Sequence, residues 1–270
     1  MDLKPFLKNE NEKPLDIIKD DGGFCSIFRT IGCIGDSLSS GEFEGRNEEG
    51  MSTYHDMYEY SWGQFMARAM GSKVYNFSRG GMRAQWFIES FGDQCDCWKY
   101  ENRCQAYILA LGVNDISHIQ AGNLELGSIE DIDKTKPSNN KKTFAGYYAQ
   151  IIQRLKINQP KAKFFLMTIP RSKNEGTPRE ELENKHRELL YQLAELFDYT
   201  YVLDFRQYAP VYDEEFRRNF FLSGHMNPMG YNLTAKMTMS YIDYIIRNNP
   251  EKFAKIGFMG TPWDNVTVEW

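Results

Sequence analysis

The sequence predicts an α/β fold built on a parallel sheet, and three observations carry that prediction. Short apolar runs rich in β-branched and aromatic residues recur along the chain, longer segments with helical spacing of apolar residues separate them, and glycine or proline punctuates the junctions. A strand buried on both faces reads as a continuous apolar run, so this pattern points to a sheet covered by helices on each side.

The apolar runs fall at residues 27–34, 73–77, 106–111, 163–169 and 200–205, which gives five predicted strands. Between and after them, residues 58–70, 82–91, 143–158, 178–197 and 228–248 carry helical spacing. Gly71 and Pro160 mark helix ends, while Pro178 and Pro228 stand where a first helical turn tolerates a missing N–H. No repeat, low-complexity tract or linker divides the chain, so one domain is expected over 1–270, with its core at about 27–248. The first 26 residues and residues 251–270 are mixed extensions; Phe253, Phe258, Trp263 and Trp270 must bury their rings, most simply on the same domain. Two polar loops, 39–54 and 116–142, follow predicted strand ends, the edge where open α/β sheets bind ligands. They are candidates for substrate walls or lids, or plain surface decoration.

Composition narrows the partners. With 37 acidic against 32 basic side chains and a net charge of −5, the chain has no electrostatic footprint for nucleic acid. No stretch approaches 18 apolar residues, so no membrane insertion is expected, and no apolar leader follows Met1. A cytoplasmic protein is the expectation, or a secreted one had a leader been removed. Five cysteines at irregular spacing, Cys25, Cys33, Cys95, Cys97 and Cys104, do not resemble a disulfide framework, and the Cys95-Asp96-Cys97 spacing is too tight for a usual metal site. Nothing in the sequence fixes an oligomeric state.

Chemistry concentrates at strand ends. Gly35-Asp36-Ser37-Leu38 closes the first strand and presents a serine at a strand-to-turn junction, while Ser39 rules out a G-x-S-x-G elbow. Asn76-Phe77-Ser78-Arg79-Gly80-Gly81 follows the second strand, Gly112-Val113-Asn114-Asp115 the third, and Gly224-His225-Met226-Asn227-Pro228 opens the last helix. Singly, each of these is an ordinary cap or turn. In this order they resemble the blocks of the SGNH, or GDSL, serine hydrolases.

That resemblance implies a flavodoxin-like three-layer α/β/α sandwich with a five-stranded parallel sheet, and a serine esterase needing no cofactor and no metal. It makes Ser37 the nucleophile and His225 its general base. The oxyanion hole would combine the Ser37 N–H, the N–H of Gly81 (or of Gly80) and the Asn114 side-chain amide, a donor that stabilises developing charge without changing its own. His55 and His118 fall in polar loops and His186 among helix charges, so all three read as surface histidines.

One position departs from the family pattern. The last block usually carries an aspartate three residues before the histidine, and here that residue is Leu222. Three solutions stay open: a backbone carbonyl near Leu222 or Ser223 orients the imidazole, a carboxylate of Asp213, Glu214 or Glu215 folds back, or the protein is inactive. The substrate expected is a small-molecule or carbohydrate ester, probed by a rim of Tyr54, Tyr58, Tyr60, Trp62, Trp86 and Trp98, with a short acyl group such as acetyl. The alternatives are a lysophospholipase or thioesterase-like acylhydrolase, or an inactive carbohydrate-binding protein on the same fold.

Overall fold

The computed structural model describes residues 3, 6, 7 and 9–264. After a 3-10 turn (Gly23–Ile27), β1 (Thr30–Gly35) runs into a single helical turn, α1 (Ser37–Ser40), and then into β2 (Glu42–Arg46) and β3 (Ser52–Asp56). Next come α2 (Trp62–Met70), β4 (Lys73–Ser78), α3 (Ala84–Trp86), α4 (Gly92–Gln94), β5 (Ala106–Ala110) and α5 (Val113–Gln120). The second half holds α6 (Phe144–Asn158), β6 (Lys163–Met167), α7 (Pro178–Leu196), β7 (Thr200–Leu203), α8 (Phe205–Tyr208) and α9 (Glu214–Phe220). It closes with β8 (Phe221–Leu222), β9 (His225–Met226), α10 (Pro228–Asn248) and α11 (Pro250–Phe253).

Five strands form one parallel sheet in the order β4-β1-β5-β6-β7. This is the three-layer architecture expected. From β1 the chain crosses first to β4 on one side and then to β5 on the other, so the end of β1 is the topological switch point, where doubly wound sheets open a crevice. Alternate residues feed two cores: Ile31, Cys33 and Ile108 pack with α2 and α10, whereas Ile34, Tyr107 and Leu109 pack with α6 and α7. Burial on both faces is why the strands read as continuous apolar runs.

Helix starts follow the sequence signals closely. Thr143, Thr177 and Asn227 cap α6, α7 and α10 by accepting the Gly146, Glu180 and Gly230 N–H groups, and Pro178 and Pro228 occupy first turns. The extensions dock on the same body: Lys19 N–H donates to Ser240 Oγ and Phe24 N–H to Asp243 Oδ1, while Phe253 stacks on Tyr201. Trp263 is exposed, and Trp270 lies outside the described residues. All five cysteines are free.

Several expectations need correction. β1 begins at Thr30 rather than 27, since the 3-10 turn takes the preceding residues. The 58–70 helix starts at Trp62 on the Ser61 cap, and the 82–91 helix starts at Ala84 and passes through a π turn at Phe87–Phe91. The 39–54 segment is no loop but the end of α1 plus the β2–β3 hairpin, whose strands lie outside the main sheet, β2 half-buried and polar and β3 mostly exposed, and so lack an apolar period. The 116–142 segment begins inside α5. His186 is fully buried against Phe144, and burial lowers its pKa to about 4; of its charged neighbours, Lys185 and Glu188 face solvent, while Glu183 is buried one turn before it.

Candidate active site

The four sequence blocks converge at the carboxyl edge of the sheet. β1 ends at Gly35, Asp36 caps α1 by accepting the Leu38 N–H, and Ser37, half-buried, is the first residue of that turn. A first-turn N–H has no intrahelical acceptor, so the Ser37 amide is available to a ligand. Gly35 is required here because a Cβ would fall 2.1 Å from Ser39 Oγ.

The residues expected to form an oxyanion hole are tied to this turn. Asn114 Nδ2 donates at 3.3 Å both to Asp36 Oδ2 and to Met82 O, linking the ends of β1, β4 and β5. Both contacts are long, so either is readily exchanged for an oxyanion. Gly81 adopts φ +69°, and a Cβ there would meet nothing, which leaves open space above its backbone. Further along the chain, Ala84 donates its N–H to Asp115 Oδ1 at 2.9 Å. Asp36 and Asp115 are both buried, and burial pushes each carboxyl up to about 7 despite backbone hydrogen bonds. The sequence blocks contain both residues, but only their burial marks them as the girders of the site.

The histidine is built differently. β8 and β9 form a minimal hairpin in which Leu222 pairs with His225 across Ser223 (φ +61°) and Gly224. α1 and β2 both pack against β9, which brings the Ser37 turn beside the His225 strand. Among the described residues no hydrogen bond joins Ser37 Oγ to the imidazole. Instead Nε2 lies 3.1 Å from Glu42 Oε1, and Nδ1 lies 3.5 Å from Glu44 Oε2 without a hydrogen-bond partner. Tyr54 meets the ring edge-on at 5.6 Å between centroids.

Of the third-member candidates, none reaches the imidazole. Asp213 caps α9 through the Phe216 N–H, Glu214 pairs with Lys173 at 3.2 Å, and Glu215 lies on the exposed first turn of α9. Leu222 is 41% exposed and contributes only its backbone pairing with His225. No backbone carbonyl takes Nδ1 either. The carboxylates that face the ring come from the β2–β3 hairpin, some 180 residues upstream, and no local spacing announces them.

A family model, the GDSL-like lipase/acylhydrolase family, matches residues 33–233. The chain belongs to the GDSL-like lipase/acylhydrolase family. Its fold is also that of solved carbohydrate esterases. An acetyl xylan esterase, AlAXEase, superposes with a TM-score of 0.52 at 16% identity over 79% of this chain and 99% of that one. A family two carbohydrate esterase from Clostridium thermocellum, solved with cellohexaose, gives 0.56 at 14% identity over 87% of this chain and 66% of that one. A GDSL-like lipase from Parabacteroides merdae gives 0.51 at 18% identity over 85% and 98%. No curated protein sequence matches. No described helix is long and apolar enough to cross a membrane.

Two cavities flank the Ser37 turn of this GDSL-family chain. One, of about 330 Å³ and open to solvent, is lined by Glu42, Tyr54, Asp56, Arg79, Gly80 and Gly81. The other, about 60 Å³ and apolar, is walled by Leu38, Trp62, Met167, Phe205 and Met226 beside Asp36. Gly80 is close-packed: a Cβ there would fall 2.3 Å from Glu42 Oε2. Of the predicted aromatic rim, Tyr54 and Trp86 are exposed near the cleft, whereas Trp62 is core and Trp98 packs on Phe87.

Proposed function

We propose that the protein is a serine esterase that removes short acyl groups, acetyl above all, from neutral carbohydrate alcohols. The observation that carries this reading is the convergence of Ser37, Gly81, Asn114 and His225 on one sheet edge, with Asn114 bonded to both the Asp36 cap and Met82 O. In the reaction, His225 takes the Ser37 proton as Oγ attacks the ester carbonyl. The Ser37 and Gly81 N–H groups and the Asn114 amide hold the oxyanion, and each such donor contributes roughly 10²–10³ in rate. His225 then protonates the leaving alcohol, and water activated by the same imidazole releases the acyl group from Ser37.

The choice of substrate rests on size and charge. A 60 Å³ apolar recess accommodates a methyl-sized acyl group and not a fatty chain. The larger cleft presents Glu42 and Asp56 as acceptors for hydroxyl groups and an aromatic face in Tyr54. In this cleft these two carboxylates outnumber the single cation, Arg79, which disfavours phosphate-bearing alcohols such as lysophospholipids. The test is a panel of acetyl, butyryl and octanoyl esters of a neutral sugar alongside a lysophospholipid. Activity should fall with chain length and be absent on the phospholipid; preference for octanoyl or phospholipid esters would refute the reading.

One observation favours a second reading, a carbohydrate-binding protein without turnover: Glu42 rather than Ser37 faces Nε2. Labelling by a fluorophosphonate decides between them, because only an activated serine reacts.

A further inference from the structure

We infer that Glu44, on the hairpin that follows the nucleophile, orients His225 in place of the aspartate absent at position 222. This rests on the Ser37–His225 reading above. Residues two apart in a strand share a face, and Glu42 and Glu44 of β2 both point at β9. Their surroundings separate their roles.

Glu44 is held rigidly. Its Oε2 accepts the Gly224 N–H at 2.8 Å, from the residue immediately before the histidine, and its Oε1 accepts Ser52 Oγ at 3.2 Å across the hairpin. Its side chain is 9% exposed. The Gly224 N–H is the chief reason that its carboxyl sits below the usual range, so it is an anion wherever the enzyme works. Gly224 has no Cβ to intrude; one would lie 2.8 Å from Oε2. The facing nitrogen, Nδ1, is buried and without a hydrogen bond, and a shift of about half an ångström from 3.5 Å brings its N–H into range. A fixed anion aimed at Nδ1 sets the tautomer that leaves Nε2 free to act as base, and it stabilises the imidazolium formed on attack.

Glu42 has the opposite character. It faces Nε2, the nitrogen that must take the serine proton, and burial raises its carboxyl, with Asp56 and Glu44 adding to the rise. A group there competes with Ser37 rather than supporting it. The hairpin backbone is anchored beside the site: Tyr231 of α10 donates its hydroxyl to Glu42 O at 2.6 Å and stacks on Phe43.

The test measures kcat and KM on 4-nitrophenyl acetate for the full chain and for Glu44→Gln, Glu42→Gln, His225→Ala and the Glu44→Gln/His225→Ala pair. Glu44→Gln should lower kcat by about 10²–10⁴ with KM within about threefold. It should have no further effect once His225 is removed, since a positioning residue acts only through the imidazole. Glu42→Gln should cost less than Glu44→Gln. If Glu44→Gln does not fold, Glu44→Asp, which withdraws the charge by one methylene, should lower kcat about tenfold at unchanged KM. Full kcat in the Glu44 variants, an equal loss in the His225→Ala background, or a larger loss from Glu42→Gln would overturn the assignment. A parent protein that neither turns over the ester nor takes a fluorophosphonate on Ser37 would instead bring down the esterase reading on which it stands.

Discussion

The two halves of the candidate site are made by different means. The nucleophile half grows directly out of the sheet: Ser37, Asn114 and Gly81 each stand within a few residues of the end of β1, β5 or β4. Asp36 and Asp115 then bolt those ends together from beneath. The histidine half is assembled outside the sheet from two small hairpins, where a two-residue turn presents His225 and a strand from near the other end of the chain presents Glu42 and Glu44. The first half is rigid because buried parallel strands fix it. The second is rigid only as far as the hairpin contacts hold, so substitutions should divide the same way.

The largest effect expected is at the proposed nucleophile. Ser37→Ala should reduce kcat on acetyl esters by about 10³-fold or more and abolish fluorophosphonate labelling, with the folded state intact. Turnover equal to that of the parent would remove the chemistry from this half altogether. Asn114→Ala comes next, at about 10²–10³ in kcat with little change in KM, since its amide is called upon most strongly in the transition state. A loss under about threefold would show that the amide serves only to tie Asp36 to Met82.

The buried acids sharpen the comparison through stability rather than rate. Asp36 binds its proton more tightly folded, at about 7, than at its ordinary 3.8, and Asp115 behaves alike. Their contribution is therefore complete below about pH 4 and is lost as pH rises towards 7. Asp36→Asn should shrink that fall by on the order of 1–3 kcal/mol, read from urea unfolding of mutant and parent at pH 4 to 7. Parallel pH profiles would mean that solvent reaches the carboxyl. The smallest effect is expected at Asp213, which caps α9 and does not touch the imidazole. Asp213→Ala should cost about 0.5–2 kcal/mol of stability and leave kcat within twofold. A large kcat loss there would show that a carboxylate from α9 does reach His225.

The amino-acid sequence by itself determined the layers and the placing of the Ser37, Gly81 and Asn114 blocks at strand ends. Its strands are local, doubly buried and apolar, its helices begin at Thr, Asn and Pro signals, and Ser37, Gly81 and Asn114 stand at strand ends that the sequence marks with glycine. It also placed His225 just before α10. Tertiary structure alone decided what surrounds that histidine. The β2–β3 hairpin is too polar to show an apolar period, the burial of His186 depends on which face of α7 meets Phe144, and Glu42 and Glu44 reach the imidazole from about 180 residues away. Local pattern encodes what a segment buries. Which distant segment comes to lie against it is set by the packing of α1 and β2 on β9, and no spacing along the chain records that.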